Sequence, residues 1–509
     1  MRLRLSLLVT LTLAAGCGSA DDPASAGEGG ATAASTGSGA SGGGGGGLAC
    51  EAVPCAAEAP GACAMGSRAC VDGLPTGECV PAAPRPFGKA VCDAPSLDLD
   101  CDGDTSPCGE LVESALIDSD GTTEAVLQRV ALDVYDYVHV LADFEGAVAF
   151  ADRTYPDEYG AFYARLGPLP SLAVADFRPL ISNYNSFMYL LDVNEQGEAF
   201  VTFGVASGPD VSTTFGDAVV NDDPNLARVT PGQPPAFVEY EPPFEAESLA
   251  AGPSRSVYVG GTYQEPAGAA IFRYSPDLTI AASAIPTDCP GSVGSGPSFR
   301  ELAMGSDGLY AFLEAPGETC VGTVAFQAGY HVVKYSEDLG AVLAQRPLNV
   351  RVSGMSARAD GAGVVVAGHA QAGAPIGDQT VSREGGFVAW LDAALSDDVT
   401  LVSLPEMMPQ AVSVARDGVV TVAGTCTGQP SWGDCFVSSA LIVRLSPGGE
   451  VIWSKVLGKS GVTVSAPAVA TSADFVVLGG DFTGSPFEAV DLSPPANGTR
   501  DGFVSVFAR

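Results

Sequence analysis

The sequence is poor in histidine, tryptophan and positive charge: its 509 residues include three His, three Trp and 24 Lys plus Arg, against 60 Asp plus Glu. The formal charge of −36 repels polyanions, so nucleic acid is excluded as an expected partner and an anionic lipid surface offers no attraction. No Gly-x-Ser-x-Gly elbow, His-Glu-x-x-His pair or phosphate-binding loop occurs, so the usual signatures of acyl hydrolases, zinc peptidases and nucleotide enzymes are missing. His139, His331 and His369 fall in different parts of the chain, which argues for structural histidines rather than one shared metal site. No catalytic or cofactor-binding residue is assigned. Beyond the N-terminal leader, no apolar run reaches the ~20 residues that a membrane-spanning helix needs.

Glycine and proline are abundant instead, at 63 and 37 residues, a composition that favours turns and short strands over long helices. The phrase LIVRLSPGGEVIWSKV (441–456) returns in weaker form as IFRYSPDLTIAASAI (271–285), VVKYSEDLGAVLAQR (332–346) and FVAWLDAALSDDVTLVSL (387–404). Each copy is an apolar run, a turn and a second apolar run. A second block, typified by VVVAGHA (364–370) and VTVAGTCTG (421–428), precedes each copy. Aligned at Gly204, Gly261, Leu313, Gly368, Gly424 and Gly480, these blocks lie between 52 and 57 residues apart. Val, Ile, Phe and Tyr in the runs and Gly, Asp and Pro between them predict four short strands per repeat.

Seven such units predict an all-β, seven-bladed β-propeller with four-stranded blades over residues 111–509. The last repeat supplies three strands before Arg509, so LVESALID (111–118) is expected to close the ring as its fourth strand. An open two-sheet stack or β-helix is the structural alternative. Arg165, Arg228, Arg273, Lys334 and Arg444 recur at one place in the third strand, where Trp390 interrupts the series. They are expected on a partly exposed strand face, with their stems packed on neighbours. Close spacing in an exported chain favours disulfides Cys426–Cys435 and Cys289–Cys320.

Residues 1–16 read as a secretory signal: Arg2 and Arg4, then an apolar stretch from Leu5 to Ala15. Residues 17–48 are mostly Gly, Ala, Ser and Thr, which predicts a flexible tether with a reach of roughly 30 Å. Residues 49–110 hold Cys50, Cys55, Cys63, Cys70, Cys79, Cys92, Cys101 and Cys108. An even count without a Cys-x-x-Cys pair or histidine predicts a small disulfide-rich module rather than a zinc site. Within it Asp98, Asp100, Asp102 and Asp104 alternate around Gly103, an arrangement that suits Ca²⁺ as a ligand. A disulfide knot with an acidic turn explains the same residues equally well.

Leu13-Ala14-Ala15-Gly16-Cys17 resembles a bacterial lipobox. The resemblance implies cleavage before Cys17, lipidation of that cysteine and attachment to the membrane through the lipid. Gly18, where retained lipoproteins carry Asp, implies the outer membrane. The pattern GACAMGSRACVDGLPTGEC followed by VCDAPSLDLDCDGD resembles the metal-binding modules of bacterial surface proteins, although Cys92-Asp93-Ala94 departs from their usual Cys-Asp-Gly. The repeats as a whole resemble the propellers of bacterial surface lipoproteins. Together they imply a monomeric cell-envelope lipoprotein that binds or scaffolds a protein or glycan through a propeller face, without catalysis. The alternative is a secreted propeller enzyme: a hydrolase, a lyase or a quinoprotein oxidoreductase. Trp453 resembles the tryptophan element of quinoprotein repeats, but it occurs in one repeat only.

Overall fold

The computed structural model describes most of residues 109–508 and, as backbone, short strands between residues 53 and 81. The segments 120–123, 151–152, 156–159, 183–186, 205–212, 221–224, 241–243, 264–267, 289–296, 322–323, 427–438, 459–461 and 485–499 are outside the description, as is residue 473. Val53–Ala56, Met65–Arg68 and Val80–Pro81 form a small antiparallel sheet.

Seven four-stranded antiparallel sheets follow one another along the chain. Their innermost strands are Ala125–Leu132, Phe187–Val193, Phe244–Ala251, Ser298–Gly305, Arg351–Ala357, Met407–Val414 and Thr463–Thr471, here numbered blades 1 to 7. The seventh blade is completed by Leu111–Ser119, which runs antiparallel to Arg500–Ala508 with Gly502 opposite Ile117 and Phe507 opposite Leu111. First and last strands of the ring therefore share one sheet. Ser119 donates from its backbone N–H and its hydroxyl to Asp501 Oδ1, at 2.9 and 2.7 Å.

The recurring glycine has a specific cause. Every inner strand carries a β-bulge at the same level, where the pairing skips Gln128, Tyr189, Glu247, Arg300, Ser353 and Gln410 in blades 1 to 6 and Ala466 and Pro467 in blade 7. The bulge pushes the carbonyl ahead of it over the second strand. A Cβ added at Gly261, Gly368, Gly424 or Gly480 would stand 1.9, 2.2, 2.2 or 2.0 Å from the carbonyl oxygens of Glu245, Arg351, Met408 and Ser465. In blade 2 the equivalent residue is Phe203, opposite Met188, and not Gly204, which pairs with Phe187. Alignment on glycine alone thus misplaces that repeat by one residue.

Between the blades lie clusters of buried Val, Leu, Ala and Phe, such as Val366, Phe387 and Leu348 between blades 4 and 5. Three outer edges are covered from the neighbouring blade. The hairpin Val148–Phe150 and Arg153–Tyr155 of blade 1 pairs with the closing strand. Thr213–Phe215 and Ala218–Val220, from blade 2, add to the outer strand of blade 1. Thr319–Val321, from blade 4, pairs with Pro286–Asp288 beyond blade 3. Each strap satisfies edge N–H and C=O groups that would otherwise invite another chain.

Candidate ligand site at the channel mouth

The inner edges of the inner strands have no strand neighbour, so their N–H groups need other acceptors. In blades 2, 5 and 6, the side chain two residues beyond the residue that follows the bulge supplies one. Ala251 N–H donates to Asp192 Oδ2 (2.8 Å), Val414 N–H to Ser356 Oγ (3.2 Å) and Thr471 N–H to Ser413 Oγ (3.1 Å). The three contacts are equivalent and join consecutive blades. Burial raises the Asp192 carboxyl to about 6, even though backbone N–H groups of Ala251 and Val193 favour its charge.

The recurring cations do a related task nearer the turns. Arg228 donates to Pro276 O, Arg273 to Glu337 Oε1 (3.0 Å) and Lys334 to Ala393 O (3.0 Å), each in the turn between the third and fourth strands of the next blade. Trp390 faces Gly449 of the equivalent turn in blade 6. Arg444 is fully buried. Arg228, Arg273 and Lys334 are therefore clasps between blades; Arg165, Arg228 and Arg273 keep the partly exposed face that their spacing suggests, while Lys334 and Arg444 are buried. In blade 1, Arg165 donates instead to Asp133 Oδ2 (3.0 Å) and stacks on Tyr137.

Asp133 also meets His139 Nε2 at 3.2 Å, while His139 Nδ1 lies 2.7 Å from Tyr163 Oη. Burial lowers the imidazole pKa, which favours the neutral ring, with one donor and one acceptor. The carboxylate can only accept. Nε2 therefore carries the proton and Nδ1 accepts from the tyrosine. Burial opposes charge on Asp133, but hydrogen bonds from His139, the Tyr137 N–H and Arg165 outweigh it and hold the carboxyl at about 2. His331 bonds to Gln327 O at 2.7 Å in blade 4, and His369 stands on the second strand of blade 5. The three histidines occupy three different blades.

At the mouth of the central channel a cavity of about 980 Å³ is bounded mainly by blades 1 to 5. The residues just after the bulges form one ring at this level: Arg129, Leu190, Ser248, Glu301, Gly354, Ala411 and Ala468. Only Arg129 and Glu301 in that ring are charged, and they come from blades 1 and 4. Both line the cavity. Burial raises the Glu301 carboxyl to about 7, with Arg129 as the opposing influence. Beside it, Glu247 Oε1 is 3.2 Å from Arg300, which also donates to Glu314 at 3.1 Å. Burial likewise raises Glu247, against the pull of Arg300.

Of the residues singled out from sequence, Cys320 and Cys426 are each disulfide-bonded. Cys320 lies on the strap strand opposite Thr287, and Cys426 ends the second strand of blade 6. Their expected partners Cys289 and Cys435, the lipidation candidate Cys17 and the carboxylates Asp98, Asp100, Asp102 and Asp104 lie outside the described residues. Among the described residues, no three His, Cys, Asp or Glu side chains are grouped to hold a metal ion. Arg129 and Glu301 escape a sequence comparison that aligns the repeats on their second strands. Alignment on the first strands, QRVAL, ESLAA, RELAM, SGMSA and QAVSV, exposes two charges in an otherwise neutral column.

No protein-family model matches the sequence, and no curated protein does. Among solved structures, the chain is similar to a protein of unknown function from Bacteroides caccae, with 10% identity and a TM-score of 0.33 over 66% of this chain and 94% of that one. It is also similar to a chain of a mitotic checkpoint complex, with 11% identity and a TM-score of 0.31 over 57% of this chain and 86% of that one.

Proposed function

We propose that the chain is a monomeric cell-envelope lipoprotein, held to the outer membrane through lipid on Cys17, whose propeller binds a protein or glycan at the channel mouth. The cysteine-rich module lies between tether and propeller, and its Asp98, Asp100, Asp102 and Asp104 take Ca²⁺. The observation that carries the binding role is the 980 Å³ cavity lined by charged and polar groups on a rigid, cross-braced ring. Concave sites with a few fixed polar groups are where small ligands and protruding segments are recognised.

Met304 and Met355 line the cavity and provide built-in probes. Oxidative footprinting of the full chain with soluble envelope glycans and peptides should protect both methionines. Protection confined to the outer strands, or none with any fraction, overturns the binding role. Changing Cys17 to Ser should move the protein from the membrane to the soluble fraction, and unchanged fractionation removes the anchor. Calorimetry with Ca²⁺ on the full chain and on its Asp100→Asn variant tests the metal site, which a flat wild-type titration eliminates.

An enzyme on the same face is the second reading. It is favoured by Glu301, a carboxyl titrating near neutrality inside a cavity, as a general acid or base does. Turnover of an envelope substrate that Glu301→Gln abolishes would replace binding by catalysis.

A further inference from the structure

Arg129 and Glu301 are the two charged members of an otherwise neutral ring, and among the described residues neither is spent on an ion pair. Arg129 donates to the carbonyl of its neighbour Gln128 at 3.1 Å. Among the described residues neither side chain belongs to an ion pair within 4.0 Å, with the other or with any third group. Nearly every other cation near the channel is committed: Arg273 to Glu337, Lys334 to Asp307, Arg300 to Glu247 and Arg358 to Asp360. Opposite charges at corresponding positions of two separate blades cannot collapse onto each other, because each sits on a strand fixed by its own sheet and by the contacts between blades. A charge withdrawn from bulk water without a partner is costly. A solute carrying both complementary charges would relieve both groups at once.

We propose that the channel mouth binds a small zwitterion of amino-acid or short-peptide type, its carboxylate on Arg129 and its ammonium on Glu301. The assignment rests on the binding role proposed above and names its ligand class. Guanidinium is suited to carboxylate through paired N–H donors. Glu301 is the acceptor for an ammonium.

The experiment is a calorimetric titration of the full chain at pH 8 with an ω-amino acid ladder: glycine, β-alanine, 4-aminobutyrate, 5-aminovalerate and 6-aminohexanoate. Butyrate and butylamine serve as single-charge controls. One rung should bind at least 10-fold more tightly than either control, and its length reports the span between the two groups. Arg129→Gln and Glu301→Gln should each reduce that rung to the level of a control. The exchanged variant, Arg129→Glu with Glu301→Arg, should recover affinity with the ligand reversed. It guards against loss of affinity through misfolding. A ladder in which no rung exceeds the controls overturns the proposal, as does a preferred rung indifferent to both single variants. If the ladder fails while envelope glycans still protect Met304 and Met355, the zwitterion fails and the propeller-face role stands. If neither protection nor heat is seen, both fail.

Discussion

Gly368 lies directly against the carbonyl of Arg351: a Cβ built on it would stand 2.2 Å from that oxygen. The oxygen belongs to the strand residue two before the bulged Ser353, and the bulge is held by its sheet, so neither side can yield cheaply. Gly368→Ala should cost about 3 kcal/mol, at the upper end of what overpacking usually costs. Gly373 is the control. It has φ +82°, but a Cβ added there would meet nothing within 4 Å. Gly373→Ala should therefore cost only the left-handed backbone strain, about 1 kcal/mol. Urea unfolding of the two variants checks the contrast, and equal losses would refute the bulge argument.

The same geometry explains what was legible in the sequence. Where bulge and carbonyl close on the second strand, glycine is obligatory, and Gly261, Gly368, Gly424 and Gly480 mark the period. Leu313 and Phe203 hold the place in blades 4 and 2, which shows that the bulge can open enough for a side chain. The glycine signal therefore fades there, and Gly204 is mistaken for its neighbour. Ring closure was legible because a missing strand is a deficit in a count. The cavity was not. Its chemistry depends on which inner-strand residues share a level, and that is set by bulges that shift the register by one residue. The cation series was visible, but not its role, because its acceptors are turn carbonyls and carboxylates of the next blade.

Asp133 gives a prediction in acid. Its folded carboxyl sits at about 2, below an unfolded value near 3.9. The stability it contributes is therefore present above about pH 4 and is lost as the pH falls through about 2. Asp133→Asn keeps an oxygen for the N–H groups of Tyr135 and Tyr137, which Asp133 Oδ1 accepts at 2.8 and 3.0 Å. It removes the charge facing His139 and Arg165. The variant should be less stable by on the order of 2 kcal/mol at pH 7, and the gap should close by about pH 2. Thermal melts across that range decide, and a gap independent of pH would mean that charge is not the reason.

Glu301 has the opposite sign. Its folded carboxyl is raised to about 7, so its contribution is full below the unfolded value near 4.3 and is lost as the pH rises through about 7. Glu301→Gln stays neutral throughout. In ligand-free protein the variant and the parent should melt together at pH 4, and the variant should melt higher at pH 8. A parent that stays level with the variant at pH 8 would show that Arg129 already neutralises the carboxylate.

The closing strand makes the last test. Leu111–Ser119 lies between Arg500–Ala508 and the strap strand Val148–Phe150, and two hydrogen bonds fasten Ser119 to the buried Asp501. Asp501→Ala leaves the backbone ladder intact but strips both donors of their acceptor, a loss of about 1–3 kcal/mol for buried groups. A chain beginning at residue 120 goes further, because Arg500–Ala508 becomes an open edge nine residues long with Phe503, Val504, Val506 and Phe507 in its run. Such an edge pairs with another chain when it can. The truncated protein should therefore self-associate in light scattering, whereas Asp501→Ala should stay monomeric with a lower melting temperature. Adding a synthetic peptide of residues 111–119 should reverse the association if strand pairing is its cause, and failure to reverse it would assign the association to unfolding of the ring.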